Sequence, residues 1–212
     1  TLWCWGSDND GAMGNGPDPA SPTPVQVAGG GTWLHVSMGG VHGCGVQTDN
    51  TGWCWGWNHQ GQLGLGYFGG TVDSPTAVTG GHYWRIIEAG PNHSCGIRTD
   101  DTLWCWGDNT HGQLGSGNNQ NSSVPVQVAG GGAWVGVVGF PENACAIRSG
   151  GEIYCWGANG NILAMPSLST TETTPALTDC GNPPTQAGGI RYHSASNSMI
   201  YCDSVGFHAI GK

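Results

Sequence analysis

Cys4, Cys54, Cys105 and Cys155 stand 50, 51 and 50 residues apart, each inside the same short string, "WCWG" or, once, "YCWG". A fixed period of this size marks a repeat architecture, in which one supersecondary unit is stacked several times. The rest of the unit keeps step. Pro24, Pro75 and Pro125 each lie twenty residues before Cys44, Cys95 and Cys145, and nine before Trp33, Trp84 and Trp134. Carried on from Pro175, the register puts Pro184 at the Trp slot and Ala195 at the Cys slot, so a fourth unit is present but altered. The apolar pieces, such as "VQV", "WLHV" and "WRII", are short and alternating, and Gly or Pro bounds them. That pattern spells four strands to a unit, with no room for a helix. Four strands per roughly 50 residues is a propeller blade. The expected fold is therefore all-β, a propeller-type array of four such blades, as a closed ring or an open arc. The units fall near 1–53, 54–104, 105–154 and 155–179, and a further β module occupies 180–212.

Nine cysteines are many for a chain of 212 residues, and they require either an oxidising compartment or metal. Cys44 and Cys54, Cys95 and Cys105, and Cys145 and Cys155 are each ten residues apart, with turn formers such as "QTDNTG" between them. A hairpin of that length sets the two cysteines opposite each other across its strands, which predicts three hairpin disulfides. Zinc is the competing reading, because His42 with Cys44 and His93 with Cys95 share a strand face. The third repeat has Asn143 at the His position, and no repeat offers a fourth ligand nearby. The disulfide reading is the better one, and no metal or other cofactor is expected.

Lys and Arg number five against fourteen acids, a net charge of -9 without a basic stripe, which argues against nucleic acid and anionic membrane as partners. No apolar run approaches the ~20 residues of a membrane span. The chain opens at Thr1 without a signal peptide and reads as a processed or excised segment.

"GWNHQGQLGLG", "GDNTHGQLGSG" and "GPNHSCGI" resemble the loop and the His-bearing strand of the regulator of chromosome condensation repeats. The resemblance covers about residues 1–179 and implies a β-propeller, usually with more blades than this chain supplies. The last stretch, "CGNPPTQAGGIRYHSASNSMIYCDSVGFHAIGK", is similar to a short cysteine-framed module found near the ends of extracellular proteins of Gram-negative bacteria. Gly189, Ile190, Tyr192, Tyr201, Cys202 and Asp203 match that module, whereas His193, Ser204 and Phe207 depart from it. The resemblance implies a Cys180–Cys202 disulfide and a bacterial secreted or surface source.

Trp5, Trp55, Trp106 and Trp156 recur once per unit and are expected in the core or packed between blades. Trp57, Tyr67 and Phe68 do not recur, and a non-repeating aromatic group on a loop is the better candidate for sugar stacking or protein docking. His42 and His93 are expected to hydrogen-bond within their own blades. "SDNDG" from Ser7 looks like the start of a calcium loop but has no distal Glu, so it reads as a turn. "NHS" at Asn92 and "NSS" at Asn121 fit the N-glycosylation pattern.

No Ser-His-Asp order, paired acids or phosphate-binding Gly loop before a helix is found, so the chain reads as non-catalytic. Two functions remain. One is an extracellular subunit that assembles head to tail with copies of itself into a fibre, with Leu2, Trp3, Cys4 and Trp5 at the junction as an unpaired edge strand. The other is a soluble protein-binding propeller of the enzyme-inhibitor kind, or a carbohydrate-binding module, with an extracellular protein or glycan as partner. The nucleotide-exchange activity of the family's namesake does not suit an acidic, disulfide-bearing chain.

Overall fold

The computed structural model describes residues 1–17 and 20–158, together with the strand backbones Leu163–Met165, Gly189–His193, Ser198–Cys202 and Phe207–Ile210. Two compact units are present, Thr1–Ser169 and Thr170–Lys212.

Among the described residues the first unit holds fourteen strands. β1 (Trp3–Gly6) and β2 (Ser21–Gln26) form a two-stranded sheet. β3 (Trp33–Met38), β4 (His42–Gln47), β5 (Gly52–Trp57) and β6 (Thr71–Ala77) form the second sheet in sequence order. β7 (Trp84–Ala89), β8 (His93–Arg98), β9 (Leu103–Gly107) and β10 (Ser122–Gln127) form the third. β11 (Trp134–Gly139), β12 (Asn143–Arg148), β13 (Ile153–Gly157) and β14 (Leu163–Met165) form the fourth. All pairings are antiparallel. The second unit contains β15 (Gly189–His193), β16 (Ser198–Cys202) and β17 (Phe207–Ile210) in one antiparallel sheet.

Hydrogen bonding thus cuts the repeat elsewhere than a division at the "WCWG" strand does. A complete sheet runs from its Trp strand to its Pro strand, so units drawn at 1–53, 54–104 and 105–154 straddle two sheets, and β1 and β2 stand where β5 and β6 stand in the next one. Between strands the only helical element described is a 3-10 turn at Asn9–Gly11.

Local chemistry explains the hairpins. Between β4 and β5, Asp49 Oδ1 accepts from Thr51 N at 3.0 Å and from Thr51 Oγ1 at 2.6 Å, while Asn50 takes φ 65°. An Asp with a left-handed Asn behind it closes the turn without a glycine. Asp100, Asp101 and Thr102 repeat the device between β8 and β9. Such a loop fixes the register, and Cys44 comes to face Cys54, Cys95 to face Cys105, and Cys145 to face Cys155. All three pairs are disulfides, with Cα–Cα distances of 4.1, 4.0 and 4.1 Å.

The core lies between successive sheets. Cys44, Val46, Cys54 and Leu63 from the second meet Trp84, Ile87 and Trp106 from the third, all buried. The indole of Trp84 lies so close to Gly52 that a Cβ there would sit 2.5 Å from Trp84 Cδ1, so this strand position requires glycine. The loops complete the stitching. Asn58 Oδ1 accepts from Leu63 N at 3.1 Å and drives the leucine of "GQLG" into the core, as Asn109 does for Leu114 at 2.9 Å. Trp55 Nε1 of the second sheet donates to Ala12 O of the preceding loop at 2.9 Å, and Trp156 Nε1 to Gln113 O at 2.8 Å.

A buried polar seam crosses the same boundary. His42 Nε2 lies 2.8 Å from Ser94 Oγ, and that hydroxyl donates to Gln62 O at 2.8 Å. Since the hydroxyl has one proton to give, His42 must donate from Nε2. This histidine therefore bonds to the next sheet rather than within its own blade as the sequence suggested. His93 departs further, for neither ring nitrogen has a partner among the described residues. The reason lies one repeat on, where Ala144 replaces Ser94. The exchange is reciprocal: with Ser94 holding the Gln62 carbonyl, Trp106 Nε1 is left unpaired, whereas with Ala144 in place Trp156 takes the Gln113 carbonyl. Replacing Ser94 with Ala should orphan His42 Nε2 and cost about 1–2 kcal/mol in urea unfolding. The Trp106 indole N–H resonance should move downfield as that group acquires Gln62 O.

Candidate functional site

β1 is hydrogen-bonded to β2, with Trp3 opposite Gln26 and Cys4 opposite Val25, and to no other described strand. Its second edge is the one on which β5 carries β4, β9 carries β8 and β13 carries β12. Cys4 is accordingly a free thiol among the described residues, and burial pushes its pKa up. Trp5 is 63% exposed and Trp3 is exposed too. The expectation of Trp5 in the core or between blades is thus corrected: Trp55, Trp106 and Trp156 are buried, but among the described residues the sheet that holds Trp5 has half the strands of theirs. Leu2 is half-buried, and its carbonyl accepts from Val27 N at 3.0 Å.

A second surface, not singled out in the sequence, belongs with this edge. Val36 and Met38 on β3 are 38% and 47% exposed. Three residues after the first Trp of their sheets, Ile87 and Val137 occupy the position of Val36, and both are buried. Ile87 is covered because β7 packs on β4, the His-x-Cys strand of the sheet before it. The sheet before β3 is β1–β2, which among the described residues has no such strand. One added strand of that type would pair the free edge of β1 and cover the apolar face of β3 together. The sequence signal was available, in that "WLHVSM" carries Val at a position buried in its sister repeats and Met where they carry the small residues Ala89 and Gly139.

The other candidate residues are placed apart from this edge. Trp57 is half-buried and stacks on His59 with centroids 5.0 Å apart. Tyr67 and Phe68 are exposed on the loop between β5 and β6, whose backbone Asn58 holds through a 3.0 Å bond from Nδ2 to Tyr67 O. Tyr83, also exposed, was missed by the sequence reading. Asn121 is committed to the fold: its Nδ2 donates to Gln60 Oε1 at 2.7 Å and its Oδ1 accepts from Asn109 N at 2.8 Å. Asn92 is half-buried and its sequon serine, Ser94, is the buried hydroxyl of the seam. In "SDNDG", Asp8 Oδ1 accepts from Met13 N at 2.8 Å, the role that Asn58 and Asn109 play in the following loops. The Cys180–Cys202 pairing lies outside the described residues.

Disulfide-tied, four-stranded antiparallel sheets stacked in series define an all-β repeat protein of the propeller type. The chain belongs to the family of the regulator of chromosome condensation (RCC1) repeat, whose model matches residues 1–46, 49–97 and 100–139, with a second form of the repeat matching 84–113. Among solved structures, human WBSCR16 is similar with a TM-score of 0.65, 20% identity and coverage of 73% of this chain and 42% of that one. Yeast RCC1 (Prp20) bound to Kap60 gives 0.62 and 20%, covering 73% and 39%. Prp20p from Saccharomyces cerevisiae gives 0.63 and 20%, covering 73% and 40%. The chain therefore spans about two-fifths of the length of these structures, and likeness at this identity shows the fold.

Proposed function

We propose that this chain is a non-catalytic extracellular assembly protein whose copies join head to tail, each completing its first sheet with a strand from the next. The observation that carries the reading is the convergence of two surfaces on one element: among the described residues, the second edge of β1 has no partner strand and the apolar face of β3 has no covering strand. Edge strands recruit strands, and apolar side chains beside them supply specificity. The donor is an edge strand of the Thr170–Lys212 unit of a neighbouring copy, where "FHAI" (β17) offers a short apolar strand with one edge that pairs with no other described strand. A contact between two different surfaces is heterologous and propagates into a filament unless rotation closes it. Three disulfides suit a compartment outside the reducing cytosol, no described helix is long and apolar enough to cross a membrane, and the resemblance of the last segment to bacterial extracellular modules points the same way.

The test is the double variant Val36→Glu/Met38→Glu. Both side chains are exposed in the single chain, so stability should change by no more than about 0.5 kcal/mol. Polymers seen by electron microscopy and light scattering of the wild type should vanish. A wild type that stays at 21.9 kDa at high concentration, or a variant that polymerises equally, defeats the reading. Exposed Tyr67 and Phe68 favour the second reading, a docking loop for an extracellular protein or glycan. Under that reading Tyr67→Ala/Phe68→Ala, and not the β3 variant, abolishes binding.

A further inference from the structure

The last residue of the first strand in a sheet meets the sheet before it. Ala89 N of the third sheet donates to Ser37 Oγ of the second at 3.1 Å, and a Cβ built on Gly139 of the fourth would lie 3.0 Å from Gly90 Cα of the third. So close an approach of backbones calls for a small residue. The second sheet carries Met38 at this position, and it is 47% exposed.

Met38 covers a notch. Its Sδ, and Cε2 and Cζ2 of Trp55, each come within 2.7 Å of the point where a Cβ on Gly43 would stand, so thioether and indole lie together over that glycine. In the third sheet Ser94 holds the position of Gly43, and its hydroxyl takes the bond from His42 of the sheet before. The methionine sulfur thus lies beside the point at which, one boundary on, the preceding sheet makes its contact. Among the described residues the first sheet has no His-bearing strand to make one here. An unbranched thioether suits such a post, because it fills an irregular gap and yields when a partner packs on it. The same sulfur is open to oxidation, whereas Met13 is 2% exposed.

We infer that Met38 is an oxidation site that shuts the strand-accepting face, an inference that rests on the head-to-tail reading above. Hydrogen peroxide is the oxidant. The Sδ lone pair attacks one peroxide oxygen, and the S–O bond forms as the O–O bond breaks. The proton on the transferred oxygen passes to the departing one, which leaves as water, so the sulfur loses two electrons and the peroxide gains them. The sulfoxide places a strong acceptor beside Val36, Gly43 and Trp55, and the Trp55 indole N–H is already donated to Ala12 O at 2.9 Å. In the single chain water satisfies that oxygen. A donor strand laid over it buries the oxygen without a partner, which disfavours assembly and leaves folding alone.

The experiment treats the single chain with hydrogen peroxide and follows each methionine by peptide mapping. Met38 should convert at least tenfold faster than Met13, and the Trp55 indole resonance should move as it does. The critical concentration for polymers should rise at least tenfold. Met38→Leu, treated identically and retaining Met165 and Met199, should polymerise as its untreated form does, and Met38→Gln should reproduce the oxidised chain without peroxide. Peroxide added after assembly should reach Met38 at least tenfold more slowly. A treated wild type that carries the Met38 sulfoxide and polymerises undiminished overturns the inference and leaves the assembly reading standing, as does a treated Met38→Leu that loses its polymers. Equal conversion of Met38 and Met13 overturns the site whether or not the chain assembles. An untreated wild type that never polymerises defeats the assembly reading, and the switch falls with it.

Discussion

Acidification from pH 6.5 to 4 is expected to remove several kcal/mol of stability, through two histidines sealed in the core. His42 and His93 are fully buried. Burial lowers the pKa of His42 to about 3, helped by the neighbouring charge of His93 were it protonated, and burial lowers that of His93 to about 4 against a smaller opposing pull from Asp108. In the unfolded chain each titrates near 6.5. Because the folded values lie below the unfolded one, the unfolded state binds more protons in the interval between, so stability is constant above about pH 6.5 and falls as pH drops towards the folded pKa. Each histidine then contributes a loss of about 2 kcal/mol by pH 5. His35 works in the opposite direction, since its bond to Glu88 at 3.1 Å raises its pKa, and that stabilisation is complete at low pH and lost as pH rises. It is partly exposed, so solvent screening keeps it small. Asp49 and Asp100 have lowered pKa values and act below the ordinary carboxylate range, outside this window. The check is urea unfolding at half-unit pH steps for wild type and His42→Asn/His93→Asn, asparagine being the residue the fourth sheet uses at Asn143. The double variant should lose the acid limb whatever its stability at pH 7, and an unchanged slope between pH 6.5 and 4 would refute the assignment.

The seam behind that prediction shows where sequence reasoning reached its limit. Periodicity exposed the sheets, the hairpin cysteines and the recurrent indoles, because each is set by local spacing: a ten-residue offset fixes which residues face each other across a short loop. The partner of His42 was not legible in this way. Ser94 belongs to another sheet, 52 residues on, and the bond depends on how the sheets stack. Similarly, the burial of Trp55 and the exposure of Trp5 follow from identical local sequences. What separates them is how many strands share the sheet, which a repeat count at the "WCWG" string does not report. The β3 face was legible only by comparing repeats position by position. Val36 reads as an ordinary core strand residue until Ile87 and Val137 show which neighbour it lacks. Asn121 illustrates the converse, a glycosylation pattern whose amide is already engaged by Gln60 and Asn109.

Opening all three hairpin disulfides is expected to unfold the first unit. Each closes a loop with a sequence separation of ten, and cross-linking a loop that short removes unfolded-state entropy equivalent to about 2.7 kcal/mol. Three such links sum to about 8 kcal/mol, within the range of 5–15 kcal/mol that typical domains possess altogether. Additivity is justified because the pairs lie in different sheets and share no loop. The sheets have little to set against the loss: β4 and β8 each contribute only one cysteine and one aliphatic side chain, Val46 or Ile97, to the apolar core, and the sulfurs of Cys44, Cys54, Cys95 and Cys105 are themselves buried among Leu, Ile and Trp. A single pair changed to alanines, Cys95→Ala/Cys105→Ala, should leave a folded chain weakened by about 3 kcal/mol, with the far-ultraviolet spectrum intact and the denaturant midpoint lowered. The chain with all six replaced should show no cooperative transition at 25 °C. A six-alanine chain that melted cooperatively within about 2 kcal/mol of the wild type would mean that the tilted packing of Trp84 against Trp106 and the edge-on packing of Trp134 against Trp156, with centroids 5.3 and 6.4 Å apart, hold the sheets without covalent help.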